Sequence, residues 1–126
     1  MKLVLDAGAL IALDRGDRAM WRRLKAAHLA GEVAVTHGGV VGQAWRGGGP
    51  RQALLGRALA SVEVRALDES LGRAAGKLLA VAARSDVIDA ALVLLAEDDD
   101  QIVTSDARDI EPLARAAGRH VELLPA

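Results

Sequence analysis

Short apolar runs alternate with stretches of helical periodicity from one end of this chain to the other, and nothing else in the sequence restricts the fold as much. Leu3-Val4-Leu5, Val33-Ala34-Val35, Val62-Glu63-Val64, Ile102-Val103-Thr104 and Val121-Glu122-Leu123-Leu124 have the length and composition of strands. Between them, helices are expected over residues 7–13, 18–30, 38–46, 51–61, 69–84, 86–97 and 106–117. The punctuation agrees. Asp17, Asp68 and Ser85 stand where helix caps belong, and Gly31 closes the second helix. Gly47-Gly48-Gly49 interrupts the pattern, and Pro50 suits the first turn of the helix that follows. Strand and helix in strict alternation predict an α/β fold of three layers, α/β/α, with a central, mostly parallel sheet. In such sheets functional groups collect beyond the carboxyl ends of the strands.

A chain of 126 residues is expected to form one domain over residues 1–126, burying about two-thirds of its unfolded surface. There is no Phe or Tyr, and Trp21 and Trp45 are the two tryptophans, so the core must be aliphatic. The absence of cysteine excludes disulfides, thiolate zinc sites and cysteine nucleophiles. It fits a reducing cytoplasm. The N-terminus enters the first strand at once, which leaves no room for a signal sequence. The apolar run 90–96 is far below membrane-spanning length. A soluble, cytoplasmic protein without a membrane partner is expected.

The net charge of −1 hides an uneven distribution. Residues 15–84 carry twelve Lys and Arg against five Asp and Glu, while residues 85–126 carry three Arg against ten Asp and Glu. A basic middle and an acidic end suit a protein that grips a polyanion with one part and cations with another, or simply two solvated helix faces.

Four acids, Asp6, Asp89, Asp106 and Asp109, recur at informative places, with Asp86 beside them. Asp6 follows the first strand and precedes the small residues Ala7-Gly8-Ala9; taken alone, it reads as a cap for the first helix. Asp86 and Asp89 share a helix face, Asp86 in a first turn that welcomes negative charge. Asp89 sits among Val87, Ile88, Ala90, Ala91, Leu92 and Val93, where a carboxylate is costly unless something pairs with it. Asp106 and Asp109 stand three apart across a helix start, in the manner of a cap and a first-turn acid. Ser105 or Thr104 can add a hydroxyl at the same edge. Carboxylates gathered without partners repel, and a divalent cation removes that conflict. An all-oxygen donor set points to Mg²⁺ or Mn²⁺ rather than zinc, and to phosphodiester hydrolysis by an activated water. The run Glu97-Asp98-Asp99-Asp100 reads instead as a solvated loop.

Taken together, Leu3-Val4-Leu5-Asp6-Ala7-Gly8-Ala9-Leu10, Asp86-Val87-Ile88-Asp89-Ala90 and Thr104-Ser105-Asp106-Ala107-Arg108-Asp109 resemble the PIN domain, most closely the VapC-type toxin ribonucleases. The resemblance spans the whole chain. It implies a metal-dependent endoribonuclease acting on single-stranded or structured RNA, with Mg²⁺ or Mn²⁺ as cofactor. It also implies a homodimer and a cognate antitoxin that occupies the active-site groove. Carried over by position, Asp6, Asp89 and Asp106 match the family's acids, Asp109 an auxiliary acid and Asp86 a weaker match. The implied catalytic set is Asp6, Gln43, Asp89 and Asp106, and the implied metal ligands are Asp6, Asp89, Asp106 and Asp109. The family's second acid is a Glu, and here its place is taken by Gln43, before Ala44-Trp45-Arg46. Gln accepts a hydrogen bond and can hold a water, but it is not a base. Gln43 is therefore expected to attenuate or silence catalysis; a non-catalytic module that binds RNA or a protein is the alternative.

Arg22, Arg46 and Arg51 are the candidate RNA-binding residues, Arg22 with Arg23 and Lys25 on one amphipathic helix. His37 faces either the substrate or solvent, or caps the helix that follows it. Trp45 packs in the core or a dimer interface, or stacks on a base. Two rival enzyme classes lack their residues. A haloacid-dehalogenase-like phosphatase needs a second Asp where Gly8 stands, and a receiver-like domain needs an acidic pair beside Asp6 and a lysine after the fourth strand.

Overall fold

The expected apolar runs pair into one five-stranded sheet. β1 (Lys2–Leu5), β2 (Val33–His37), β3 (Glu63–Arg65), β4 (Gln101–Thr104) and β5 (Glu122–Pro125) lie in the order β3-β2-β1-β4-β5. Every pairing is parallel, with Val4 opposite both Val35 and Ile102. The computed structural model describes the backbone of residues 1–126 and every side chain except that of Arg51. Parallel strands need crossovers, and helices supply them. The helices are α1 (Ala7–Asp14), α2 (Arg18–Leu29), α3 (Gly38–Ala44), α4 (Ala53–Leu59), α5 (Glu69–Ala82), α6 (Val87–Leu95) and α7 (Ala107–Ala116). α1 packs with α2, α3 and α4, while α5, α6 and α7 pack with one another. The result is a three-layer α/β/α sandwich. Among the described residues no helix is long and apolar enough to cross a membrane.

The core is aliphatic, as the composition requires. Leu5, Leu10, Leu13, Leu55, Leu92, Ile102, Ile110 and Leu113 are fully buried, and small Ala9, Ala75, Ala90 and Ala91 let helices approach closely. Trp21 is half-buried and donates its indole N–H to the Leu13 carbonyl. Trp45 does not join the core; it is 39% exposed.

Several boundaries differ from the sequence expectation, each for a local reason. α3 stops at Ala44 because Trp45 turns to extended backbone before the glycine run. Pro50–Gln52 forms a short 3₁₀ turn ahead of α4, so that helix starts later than Pro50 suggests. Ser85 does not cap α6. Asp86 does, its Oδ1 accepting the Asp89 N–H at 3.1 Å, and it therefore precedes the first turn instead of lying in it. α5 ends at Ala82, because Ala83 adopts the left-handed conformation (φ 55°, ψ 47°) that usually falls to glycine at a helix end.

In the acidic run after α6, Glu97, Asp98 and Asp99 are exposed loop residues as expected, but Asp100 is not. It is buried, its Oδ1 accepting the Lys2 N–H at 2.6 Å and its Oδ2 the Glu97 N–H at 2.8 Å. The Lys2 ammonium lies 2.9 Å from Asp100 Oδ2 and 2.7 Å from Glu97 Oε1. This network ties the start of β1 to the turn before β4, at the amino end of the sheet.

Candidate functional site

At the other end of the same two strands the chain places Asp6 and Asp106. β1 and β4 are neighbours in register, Leu5 opposite Val103, so the residues that follow them leave the sheet side by side. Asp6 is 7% exposed and both carboxylate oxygens are held by backbone. Oδ1 accepts the Ala9 N–H at 3.0 Å, capping α1, and Oδ2 accepts the Ser105 N–H at 3.2 Å. Gly8 makes this closeness possible, since a Cβ there would collide with the Ser105 hydroxyl and press on Asp6. Thr104 Oγ1 accepts the Asp106 N–H at 2.9 Å. Asp106 occupies the cap position of α7, but its carboxylate makes no cap hydrogen bond, contrary to the expected arrangement.

α6 delivers the acids of its first turn to the same edge. Asp86, Asp89 and Asp109 line a small cleft of about 130 Å³ with Arg84, Ser85 and Leu113. Asp89 carries the strongest signature of crowding. Burial first, then the charges of Asp86, Asp109, Asp6 and Asp106, push its carboxyl from 3.8 up to about 6. Asp109 is also raised, chiefly by a hydrogen bond and like charge from Asp106, against a small opposing effect of Arg84. The nearest cation, Arg84, stands 3.9 Å from Asp109 Oδ1 in an exposed pair.

The edge therefore gathers Asp6, Asp86, Asp106 and Asp109 within electrostatic reach of Asp89. They are not drawn into a coordination shell: among the described residues, no three His, Cys, Asp or Glu side chains form a group that could hold a metal ion. Gln43 is exposed near the end of α3, and α3 meets α6 where Gly39 approaches Ile88. His37 neither faces a substrate nor solvent. It is fully buried, Nδ1 accepting the Gly39 N–H at 3.1 Å to cap α3 and Nε2 lying 3.0 Å from the Ile88 carbonyl. Burial holds its imidazole below the usual value, outweighing the opposite effect of the Ile88 carbonyl.

The basic residues are scattered. Arg46 is exposed, and its Nη1 donates to the carbonyls of Gly42 and Trp45 at the end of α3. It borders a separate cleft of about 390 Å³ with Asp14, Gln52 and the glycine run. Arg22 is exposed on α2. The Arg51 side chain lies outside the described residues.

Sequence reasoning missed Arg84 and Ser85 as parts of the acidic cleft. Both were assigned to helix ends, and the left-handed turn at Ala83 that presents them has no glycine to announce it. No protein-family model matches the chain, and no curated protein is significantly similar to it.

Proposed function

We propose that this chain is a PIN-type endoribonuclease, a hydrolase of phosphodiester bonds in single-stranded or structured RNA that depends on Mg²⁺ or Mn²⁺. The reading rests on one observation: carboxylates from the β1–α1 junction, the start of α6 and the β4–α7 junction lie at the carboxyl edge of a parallel sheet, where burial first and their charges second push Asp89 up to about 6. The donor chemistry fits a hard cation, being carboxylate oxygen with no thiolate, and with the one nearby imidazole buried and committed to backbone. To hold the ion, Asp89, Asp106 and Asp109 would have to close on one point from their present separation, with Asp6 completing the set through whichever oxygen its backbone partners release. When bound, a divalent ion of this kind lowers the pKa of water and offsets charge on an attacked phosphate.

The chain's own residues set the rest. Ser105 presents a hydroxyl beside Asp6. Gln43 can orient a water by hydrogen bonding but cannot remove its proton. Arg22, Arg46 and Arg51 would meet RNA phosphates. The same reading makes the protein a cytoplasmic toxin, a homodimer restrained by a cognate antitoxin.

Cleavage of single-stranded RNA by this protein and by Gln43→Glu, each with Mn²⁺ or Mg²⁺ and with EDTA, tests the reading. EDTA-sensitive cleavage is expected, at least tenfold faster with Gln43→Glu, since a positioned base contributes about 10²–10⁴-fold. Gln43 itself favours a second reading, a PIN-like module that binds RNA or protein without cutting. Failure of both proteins to cut, with RNA binding retained, selects that reading.

A further inference from the structure

We propose that His37 is a two-ended positioning residue: its imidazole fastens the start of α3 to the first turn of α6, and so holds the turn that carries Asp89. The bond directions fix its state. The Gly39 N–H is a donor, so Nδ1 presents a lone pair, and the ring proton resides on Nε2 and is donated to the Ile88 carbonyl. Both ends are thus satisfied in the neutral ring, and burial keeps it neutral.

The surroundings are built around this contact. Thr36, the preceding residue, is also fully buried and donates its hydroxyl to the Leu5 carbonyl at 2.7 Å, anchoring the end of β2 to the residue before Asp6. Gly39 leaves room for the ring and for Ile88, where a Cβ would press on both. Ile88 directly precedes Asp89, so a hold on its carbonyl is a hold on the turn that carries that acid. The chain spends a buried histidine where an Asn or Ser would cap α3 equally well. Only the second bond, across to α6, requires a ring.

The link to catalysis rests on the function proposed above, whereas the clamp itself does not. Two substitutions divide the imidazole. His37→Asn keeps an acceptor near Nδ1 and caps α3, but cannot reach Ile88. His37→Gln places an amide N–H near Nε2 and loses the cap. Amide hydrogen exchange resolves the two ends. His37→Asn should speed exchange in the first turn of α6 at least tenfold and spare α3. His37→Gln should do the reverse. Acceleration spread evenly over all elements in both variants, or no change in either, overturns the proposal. Gly39→Ala, which pries the helices apart without altering the ring, should loosen both ends, and protection retained at both ends would count equally against it. Mn²⁺ titration of the same proteins reads the consequence for the site: weaker binding in His37→Asn, and binding spared in His37→Gln. If the unmodified protein binds no Mn²⁺, the metal reading of the edge fails, and the exchange pattern still decides the clamp.

Discussion

β1 and β4 carry an acidic cluster at each end, and the two clusters have opposite physics. At the amino end Asp100 accepts two backbone N–H groups and a lysine. Burial works to raise its carboxyl, but these partners outweigh burial and hold it below the usual value. At the carboxyl end burial first, and then the charges of four other carboxylates, push Asp89 up to about 6. The residue types are the same. What differs is whether the fold has brought donors or more acceptors to meet them. A resolved cluster ties strands together, whereas an unresolved one stores repulsion that a ligand of positive charge can relieve.

The largest expected effect lies at the resolved end. Asp100→Ala strips the acceptor from two backbone N–H groups and leaves Lys2 half-paired. It should cost about 3 kcal/mol of stability, read from the midpoint of urea unfolding. Gly8→Ala comes next, at about 2 kcal/mol, because a methyl group must displace Ser105 from Asp6. It should also weaken any Mn²⁺-induced rise in melting temperature, which Asp100→Ala should leave in place if the protein remains folded.

Asp89→Asn should go the other way, stabilising the protein at pH 7 by up to about 1 kcal/mol after solvent screening, while abolishing the Mn²⁺-induced rise. Its pH dependence separates the two ends. A raised carboxyl favours folding while protonated, so the Asp89 contribution is full below 3.8 and is lost as pH climbs through about 6. Asp100, held low, contributes above the ordinary carboxylate value and loses that contribution as pH falls through its folded value. The advantage of Asp89→Asn over the unmodified protein should therefore grow between pH 4 and 6.5 and then level off, as measured by urea unfolding. A flat difference would mean that the acids at this edge do not interact. The smallest effect belongs to Arg84→Ala. Its exposed pair with Asp109 is worth under about 0.5 kcal/mol, so unfolding should barely change while Mn²⁺ binding strengthens slightly.

Much of this architecture was readable in the residues. Each run expected to be a strand became one, and the central β1 and β4 are the apolar, buried ones because a parallel sheet is covered on both faces. Asp6 and Asp106 fell beyond strand ends because the alternation put them there. Asp89 announced itself as a carboxylate among valines and alanines. The misreadings share a cause. Asp100 looked solvated inside a run of acids, because local composition does not reveal that the amino end of β1 passes beside it. His37 caps α3, one of the roles expected of it, but its second bond, to Ile88 51 residues away, has no local signature. Arg84 was absorbed into a helix that ends early at a left-handed alanine. Long-range neighbours decided each of these, and a single sequence does not display them.

The strand order β3-β2-β1-β4-β5 also sets a timetable. β1 lies at the centre of the sheet and is the first strand made, while its partner β4 follows almost a hundred residues later. Pairings of such separation close slowly. On the ribosome the first three strands can align while Asp106 has yet to be synthesised, and Asp6 then has no Ser105 to hold it. The acidic edge is consequently assembled only after β4 and the start of α7 have been made. Whatever chemistry it performs waits on that late pairing.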